Sequence, residues 1–398
     1  MKAKSIKGKS PEEIKSALAE SIADARLPDG QGFKPTLAIV FISTIENEEA
    51  IRTILDKEGI AIFGASTSEK FTEQGIEPDD IAVLLLDINP DYFRIILKDY
   101  NLASPFESAR QAGEFGVQEF KNPAFIISSA DYRISGEDVI NGLMDAAGHH
   151  ATIVGGMAGE HVNFTGIVFT NDSSGTSGLL ALVIDEDKIA VNGLAVSGWK
   201  PIGTEKVITK AEGSWIYTID NEPAMNVIKK FLGNEISFNT QSEGVVPLNI
   251  DFPLQVQRAS GTPMMRPVLL WNTADQSVMV GGGTKEAAKF RFSLPPDLDV
   301  IDTVVESSKI IKEKNMPEVD ALIVFSCVGR LASFGPMISA EIEGLAAIWN
   351  KPMIGFFSLG EFGKLDDSRC EFHGTTVSWV ALKEKPPPPP EGGTFTSI

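Results

Sequence analysis

The sequence predicts a mixed α/β protein made of repeated strand–helix–strand units with antiparallel strand extensions. One layout occurs three times: a buried strand, a helical stretch, and a second buried strand that ends in a glycine-rich turn followed by a glutamate. Further strands, separated by turn residues, follow these copies. Because a recurring unit of this kind governs the architecture, we expect mixed sheets flanked by helices, arranged in two related parts.

The three copies have the same order of elements. Short apolar runs bounded by turn signals are typical of buried parallel strands. Ligands favour the carboxyl ends of such strands, so a binding site is expected there. The first strands are expected at residues 37–41, 124–128 and 321–326, and the second strands begin at residues 60, 152 and 353.

The elements around the first two copies follow from local signals. Ser10, Pro11 and Glu13 form a capping box, which predicts a helix from residue 11 to about residue 25. Turn chemistry predicts two antiparallel pairs, followed by one more strand. The first pair is residues 81–86 with 92–97, the second is residues 165–170 with 179–184, and the last strand is residues 189–197.

The remaining elements belong to the second part of the chain. Its expected elements are a helix at 223–233, a hairpin of 267–271 with 278–281, a helix at 298–314, and strands within 370–383. We therefore divide the chain into an N-terminal domain at 1–222, which holds two units, and a C-terminal domain at 223–385, which holds the third. Residues 386–398 begin with five prolines and are expected to form a disordered tail.

Composition narrows the function classes. The chain has 398 residues, with 43% hydrophobic and 22% charged residues, which is typical of a globular protein. A net charge of −19 argues against nucleic-acid binding and against anionic membrane surfaces. Two cysteines are too few for a disulfide framework, and no signal-peptide or membrane-spanning run is evident, so we expect a cytoplasmic protein.

The glycine-rich turns are the first candidate site. Gly64, Gly155 with Gly156, and Gly355 are expected where a strand ends and the chain turns, because glycine alone takes positive φ without steric cost. Their role is either a tight turn or the exposure of backbone N–H groups to an anion. Hydroxyl side chains lie nearby at Ser66, Thr67 and Ser358. No dinucleotide or P-loop fingerprint is present.

A glutamate follows each turn, at Glu69, Glu160 and Glu361. Each carboxylate is expected to cap backbone amides of its turn, with one of them reaching a ligand. An ammonium group or acid–base chemistry is the alternative use of such a carboxylate.

Cys327 and Arg330 end the first strand of the third copy. A free cysteine at such a position is by default a small buried side chain. Arg330 has two possible roles, lowering the pKa of Cys327 or clamping a carboxylate through two hydrogen bonds. No nucleophile is paired with both a base and an orienting group, so catalysis is not predicted.

The four histidines lack metal-binding spacing, so neither zinc nor another histidine-based metal centre is expected. A haem needs only one axial histidine, and His161, next to Glu160, is the candidate if haem is bound.

Four stretches of the sequence resemble signatures of the FIST family of sensory proteins, with its N-terminal part followed by its C-terminal part. Their order and spacing match over roughly residues 10 to 385. The stretches are residues 63–69, residues 198–203 with 220–224, residues 325–330, and residues 355–362.

The resemblance implies a signalling role with small ligands such as amino acids. Some relatives are haem proteins that sense nitric oxide and regulate a histidine kinase. We therefore predict a non-catalytic sensory module that binds an amino-acid-like ligand, has no cofactor, and acts through a separate partner such as a histidine kinase. The alternatives are a haem-based nitric oxide sensor and, less favoured, an acyl- or amide-processing enzyme that uses Cys327 or the glutamates.

Overall fold

A computed structural model describes residues 1–23, 32–77, 81–160, 165–233, 244–247, 253–258, 261–294, 297–365 and 369–386. It confirms the predicted mixed α/β class, with mixed sheets and flanking helices. The chain contains one complete structural unit three times. Each copy runs strand, helix, strand, helix, strand, hairpin, strand, so the repeat is longer than the strand–helix–strand motif visible in the sequence.

The first two copies follow each other directly. Repeat 1 consists of β1 (Lys2–Gly8), α1 (Pro11–Ala23), β2 (Leu37–Ile42), α2 (Glu48–Lys57), β3 (Ala61–Ser66), β4 (Lys70–Thr72), β5 (Gly75–Glu77) and β6 (Ile81–Asp87). Repeat 2 consists of β7 (Phe93–Asp99), α3 (Pro105–Glu119), β8 (Pro123–Ala130), α4 (Gly136–Ala147), β9 (Ile153–Met157), β10 (Val168–Phe169), β11 (Ser174–Gly175) and β12 (Gly178–Asp185).

An insertion interrupts the third copy after its first strand. Repeat 3 begins with β13 (Ile189–Val196). The insertion consists of β14 (Pro201–Glu212), β15 (Trp215–Ile219), β16 (Glu222–Pro223), α5 (Ala224–Leu232), β17 (Val245–Pro247), β18 (Leu254–Val256), β19 (Met264–Arg266), β20 (Val268–Asn272), β21 (Val278–Val280) and β22 (Lys289–Ser293). Repeat 3 resumes with α6 (Leu298–Asn315), β23 (Ala321–Cys327), α7 (Val328–Phe334), α8 (Ile338–Trp349), β24 (Met353–Ser358), β25 (Glu361–Gly363), β26 (Glu371–His373) and β27 (Val377–Glu384).

Each repeat builds a six-stranded sheet, and the three sheets have the same topology. Their orders are β1-β6-β2-β3-β10-β11, β7-β12-β8-β9-β25-β26 and β13-β27-β23-β24-β4-β5. The last two strands of every sheet come from another repeat. Repeat 1 lends its hairpin to repeat 3, repeat 3 lends its hairpin to repeat 2, and repeat 2 lends its hairpin to repeat 1. The exchange closes a ring with pseudo-threefold symmetry.

This exchange corrects two predicted strand pairings. Residues 81–86 and 92–97 do form strands, but β6 lies in the first sheet and β7 in the second. In the same way β10 pairs with β11, whereas β12 lies in a different sheet, between β7 and β8. Turn residues showed where the chain changes direction, but β6 and β12 pair with strands of their own repeats, and only the hairpins pair with strands of another repeat. The hairpin of β20 with β21 is formed as predicted.

The three sheets share one core. Phe41 of the first sheet packs edge to face with Phe356 of the third, with 4.7 Å between ring centroids, and the second sheet contributes Ile126 and Leu180. Three further apolar clusters lie between the outer face of each sheet and its own helices. The insertion has a core of its own around Trp271 and Phe290.

The repeated glycines do not form turns. Gly64, Gly155 and Gly355 lie inside β3, β9 and β24, and none of them takes positive φ. Each lies opposite a phenylalanine of the borrowed hairpin, and these partners are Phe169, Phe362 and Phe71. A Cβ atom on Gly64 or Gly355 would lie 2.2 Å from the facing ring. Glycine is required here because an aromatic ring occupies the space of a side chain.

One helical stretch in the described part of the chain, Val328–Trp349, is long and apolar enough to span a membrane by length and composition. Gly335, with φ of 52°, and a 3₁₀ turn divide it into α7 and α8. Ile338, Ile342 and Leu345 of α8 are buried in the core that covers the third sheet. This stretch therefore consists of two separate helices, and α8 packs one face against the third sheet.

Candidate functional site

A cavity of about 840 Å³ lies where repeat 2, repeat 3 and the insertion meet. The loop after β8 forms one wall, the β20–β21 hairpin forms the second, and the β23–α7 junction forms the third. Its lining is mainly apolar and includes Tyr132, Met157, Leu270, Met279, Val328 and Leu359. A mainly apolar cleft of 300–1,000 Å³ with a few polar groups is typical of a small-molecule site.

Cys327 lies on the wall of this cavity. It is the last residue of β23, a strand buried along its whole length, and it is 4% exposed. The fully buried carboxyl group of Glu361 acts electrostatically on its thiol. Burial and the Glu361 carboxylate raise the pKa of Cys327 far above its usual value. The expectation that Arg330 lowers this pKa is therefore wrong.

Glu361 lies behind Cys327 and is fully buried. Its Oε1 atom accepts a hydrogen bond from Ser358 Oγ at 2.6 Å, and its Oε2 atom accepts from Thr376 N at 3.2 Å and Thr376 Oγ1 at 2.8 Å. This carboxylate therefore binds the Thr376 amide, 15 residues further along the chain, and not an amide of the glycine-rich turn before it, where capping was expected. Burial raises the pKa of Glu361 to about 8, against the smaller lowering effect of its hydrogen bonds.

Arg330 is a structural residue. Its guanidinium is fully buried and forms a two-point ion pair with Glu341, which is also fully buried, with a distance of 3.1 Å between Nε and Oε1. Its Nη1 atom donates to the carbonyl oxygens of Ser197 and Thr375. The hydrogen-bonding capacity of Arg330 is thus used within the protein, which contradicts its expected role as the carboxylate anchor of a ligand.

The other predicted residues do meet, but at the buried centre of the ring. Ser66 Oγ accepts from Ile167 N at 2.9 Å, and Thr67 Oγ1 donates to the carbonyl oxygen of Phe357 at 3.2 Å. Ser66, Thr67 and Ser358 are fully buried, whereas the side chains of Glu69 and Glu160 are half-buried. These contacts join the end of β3 to the residue before β10 and to β24, so they hold the repeats together, and Cys327 lines the cavity.

Sequence reasoning missed Arg133. It lies on the cavity wall, its side chain is 72% exposed, and it forms a two-point pair with Asp131 at 2.7 and 2.8 Å. The Arg133 guanidinium lowers the pKa of Asp131. A sequence signal was present, because Ser129 precedes Arg133 by four residues just as Ser326 precedes Arg330, each pair starting at the end of a first strand.

Histidines contribute little to the described site. His161, the proposed axial ligand of a haem, lies outside the described residues, so that assignment remains a prediction. His149 and His150 are exposed after α4, whereas His373 is buried, with Nε2 3.2 Å from the carbonyl oxygen of Gly363. No group of three or more metal-ligating side chains occurs among the described residues.

Comparisons with known proteins agree with the sequence resemblance. The family model of the FIST N domain matches residues 36–222, and that of the FIST C domain matches residues 224–364. The comparison with curated proteins finds no match. A solved structure described as "Cyanuric acid hydrolase: evolutionary innovation by structural concatenation" aligns with 96% of this chain and 99% of its own, at 6% identity. Its TM-score of 0.38 is too low to support any argument. The two family matches show that this chain belongs to the FIST family.

Proposed function

We propose that this chain is a non-catalytic sensory module that binds a small, amino-acid-like ligand with an apolar body in the cavity. FIST domains are generally small-ligand sensory domains of signalling proteins, which supports the general class. The observation that carries the proposal for this chain is the cavity of about 840 Å³ between repeat 2, repeat 3 and the insertion. Its volume accommodates an amino-acid derivative with a large side chain.

The lining favours this ligand chemistry. Leu270, Met279 and Val328 offer apolar surface to the body of the ligand. Among the described residues of the lining, Arg133 alone is charged, and its guanidinium is a suitable partner for a carboxylate. Asp131 holds the guanidinium in place through two hydrogen bonds, which lowers the entropy lost when a ligand binds.

The position of the cavity offers a route for a signal. One wall belongs to the insertion and the other two belong to the ring of repeats. A ligand that contacts all three walls stabilises one position of the β20–β21 hairpin relative to other positions. A ligand shifts the equilibrium between such conformations only if it binds one of them more tightly than the others. We propose that a separate partner, such as a histidine kinase, recognises this surface in the ligand-bound state.

Two exposed alanines provide a matched test. Ala332 lies on α7 and lines the cavity, whereas Ala347 lies on α8 outside it. Amino acids and their N-acyl derivatives are first screened by thermal shift, and the best ligand is measured by calorimetry. We expect Ala332→Trp to abolish binding because the indole fills the cavity, and Ala347→Trp to leave it unchanged.

Arg133→Ala tests the carboxylate contact. We expect it to weaken binding of the ligand roughly tenfold, because a largely exposed charge pair between Arg133 and the ligand carboxylate is lost. Full affinity in a folded Ala332→Trp variant would place the ligand elsewhere. Conversion of the ligand, detected by mass spectrometry of the reaction mixture, would contradict the non-catalytic assignment.

A further inference from the structure

The three walls of the cavity differ in charge. The loop after β8 contributes Arg133, and no other described residue gives this cavity a charged side chain. The insertion and repeat 3 contribute apolar side chains and a few neutral polar ones, which are Ser214, Cys327, Ser333 and Thr375. The described part of the cavity therefore has one positively charged wall and two neutral, mainly apolar walls.

The carboxylates on either side of Arg133 in the sequence already have partners. Asp131 Oδ1 accepts from Arg133 N and Nε at 3.1 and 2.7 Å, and Oδ2 accepts from Arg133 Nη2 at 2.8 Å and Ser177 Oγ at 2.9 Å. The Asp131 side chain is 7% exposed and does not line the cavity. Glu137 pairs with the fully buried Arg266 and lines a separate cavity of about 250 Å³. Neither carboxylate is placed to pair with a cation in the large cavity.

A free amino acid brings two charges into this cavity. Its carboxylate has a partner in the Arg133 guanidinium, but its ammonium group would lose water without gaining an opposite charge from the described lining. A neutral hydroxyl group accepts a hydrogen bond from an ammonium group without compensating its charge, and burying an uncompensated charge is costly. The same nitrogen carries no charge in an amide, so acylation of the amino acid removes this cost.

Acylation also gives the ligand a second apolar arm. When the carboxylate lies at Arg133, on the first wall, two further groups are needed to cover the two neutral walls. Leu270 and Met279 offer apolar surface on the side of the insertion, and Val328 and Leu359 offer it on the side of repeat 3. A free amino acid has only its side chain for these two surfaces, whereas an N-acyl amino acid has a side chain and an acyl chain.

We infer that this cavity selects N-acylated amino acids, with an apolar side chain and an apolar acyl chain, over free amino acids. The inference rests on the proposed ligand site and narrows the class of its ligand. Arg133 binds the carboxylate, a neutral amide takes the place of the ammonium group, and the two apolar arms contact the insertion and repeat 3. Such a ligand contacts all three walls, as the proposed route for the signal requires.

Three compounds separate the effect of the ammonium group from that of the acyl chain. Calorimetry at neutral pH measures the affinity of the wild-type protein for L-phenylalanine, hydrocinnamate and N-hexanoyl-L-phenylalanine. Hydrocinnamate is phenylalanine without the ammonium group, so we expect it to bind at least about tenfold more tightly than phenylalanine. N-hexanoyl-L-phenylalanine should bind roughly another tenfold more tightly than hydrocinnamate, because its acyl chain buries further methylene groups.

A fourth compound, N-hexanoyl-L-phenylalaninamide, tests where the carboxylate binds. The wild type should bind the acid roughly tenfold more tightly than this amide, because only the acid forms a charge pair with Arg133. Arg133→Ala should remove the preference for the acid. Arg94→Ala is the matched control, because Arg94 pairs with Glu119 at the surface and does not line the cavity, and it should retain the preference.

Binding of phenylalanine as tight as that of hydrocinnamate would overturn the inference, as would an undiminished preference for the acid in Arg133→Ala. If phenylalanine, or another amino acid from the screen, then bound the wild type and failed to bind Ala332→Trp, the proposed sensory function would stand without the inference. If every ligand bound Ala332→Trp as tightly as the wild type, the cavity would be the wrong site and both proposals would fail.

Discussion

Arg133 and Arg330 occupy the same place in two repeats and have different surroundings. Each lies three residues after the last residue of a first strand, β8 or β23. Arg330 lies in α7, and its side chain is buried and paired with Glu341. Its Cζ atom lies 5.0 Å from the centroid of the Trp199 ring and 5.3 Å from that of Phe334. Arg133 lies in the loop between β8 and α4, and its side chain remains largely exposed at the cavity.

The difference shows that position within a repeat does not determine the function of a side chain. The strand end brings both arginines to the same edge of the molecule, but the next element decides whether each one is buried. In repeat 3, the helix that follows and the start of the insertion supply aromatic and carbonyl partners. Repeat 2 has no equivalent insertion between β7 and α3, so the guanidinium of Arg133 stays largely exposed.

The largest expected effect concerns the stability contributed by these two arginines. Arg330→Ala leaves Glu341 charged and buried, so we expect a loss of about 3–5 kcal/mol in the free energy of unfolding. Arg133→Ala, at an exposed pair, should change the free energy of unfolding far less. Urea denaturation of both variants measures the contrast. Similar losses from the two substitutions would show that burial does not distinguish them.

The second prediction uses Glu361, whose counterpart in repeat 2 is the apolar Val168. Burial raises the pKa of Glu361 from 4.5 to about 8, so the folded state keeps a proton that the unfolded chain releases above about pH 4.5. Its contribution to stability is therefore full below that pH and is lost as the pH rises to about 8. The slope is at most about 1.4 kcal/mol per pH unit over this range.

Glu361→Gln should remove this slope, whereas Glu343→Gln, at an exposed position of α8, should retain it. The free energy of unfolding of the wild type and of the two variants, measured from pH 5 to 8, tests whether Glu361 causes this slope. The groups that face the carboxyl are Cys327, Ser358 and Thr376, and His373 lies opposite on β26. A wild-type slope that persists in Glu361→Gln would assign the pH dependence to another group.

The smallest expected effect tests the framework that all repeats share. A Cβ atom at position 355 would lie 2.2 Å from the Phe71 ring and 2.5 Å from the carbonyl oxygen of Val324. Gly355→Ala should therefore cost roughly 1–3 kcal/mol through overpacking. Gly175 has no atom within 4 Å of a built Cβ, so Gly175→Ala should stay within about 0.5 kcal/mol. Thermal unfolding that ranks the two variants equally would contradict this explanation of the repeated glycine.

The sequence alone determined the local elements. Apolar runs and turn residues specified the strands and most helices, and the capping signal at Ser10 marked the start of α1, where Glu13 N donates to Ser10 Oγ at 3.3 Å. The threefold recurrence was visible as well. These features can be predicted locally, because the spacing of apolar residues and the residue types of a turn involve only a few consecutive positions of the chain.

Only the tertiary structure decided which elements meet. The exchange of hairpins pairs residues as far apart as Phe71 and Gly355. Gly355 was predicted to form a turn, but it lies in a strand, and the Phe71 ring occupies the space of a side chain there. Contacts of repeat 3 with its own helices and with the insertion buried Arg330, whereas Arg133 remained at the cavity. Which side chains are buried, and which groups they contact, depends on packing between segments that are distant in the sequence. The sequence of one segment does not specify this packing.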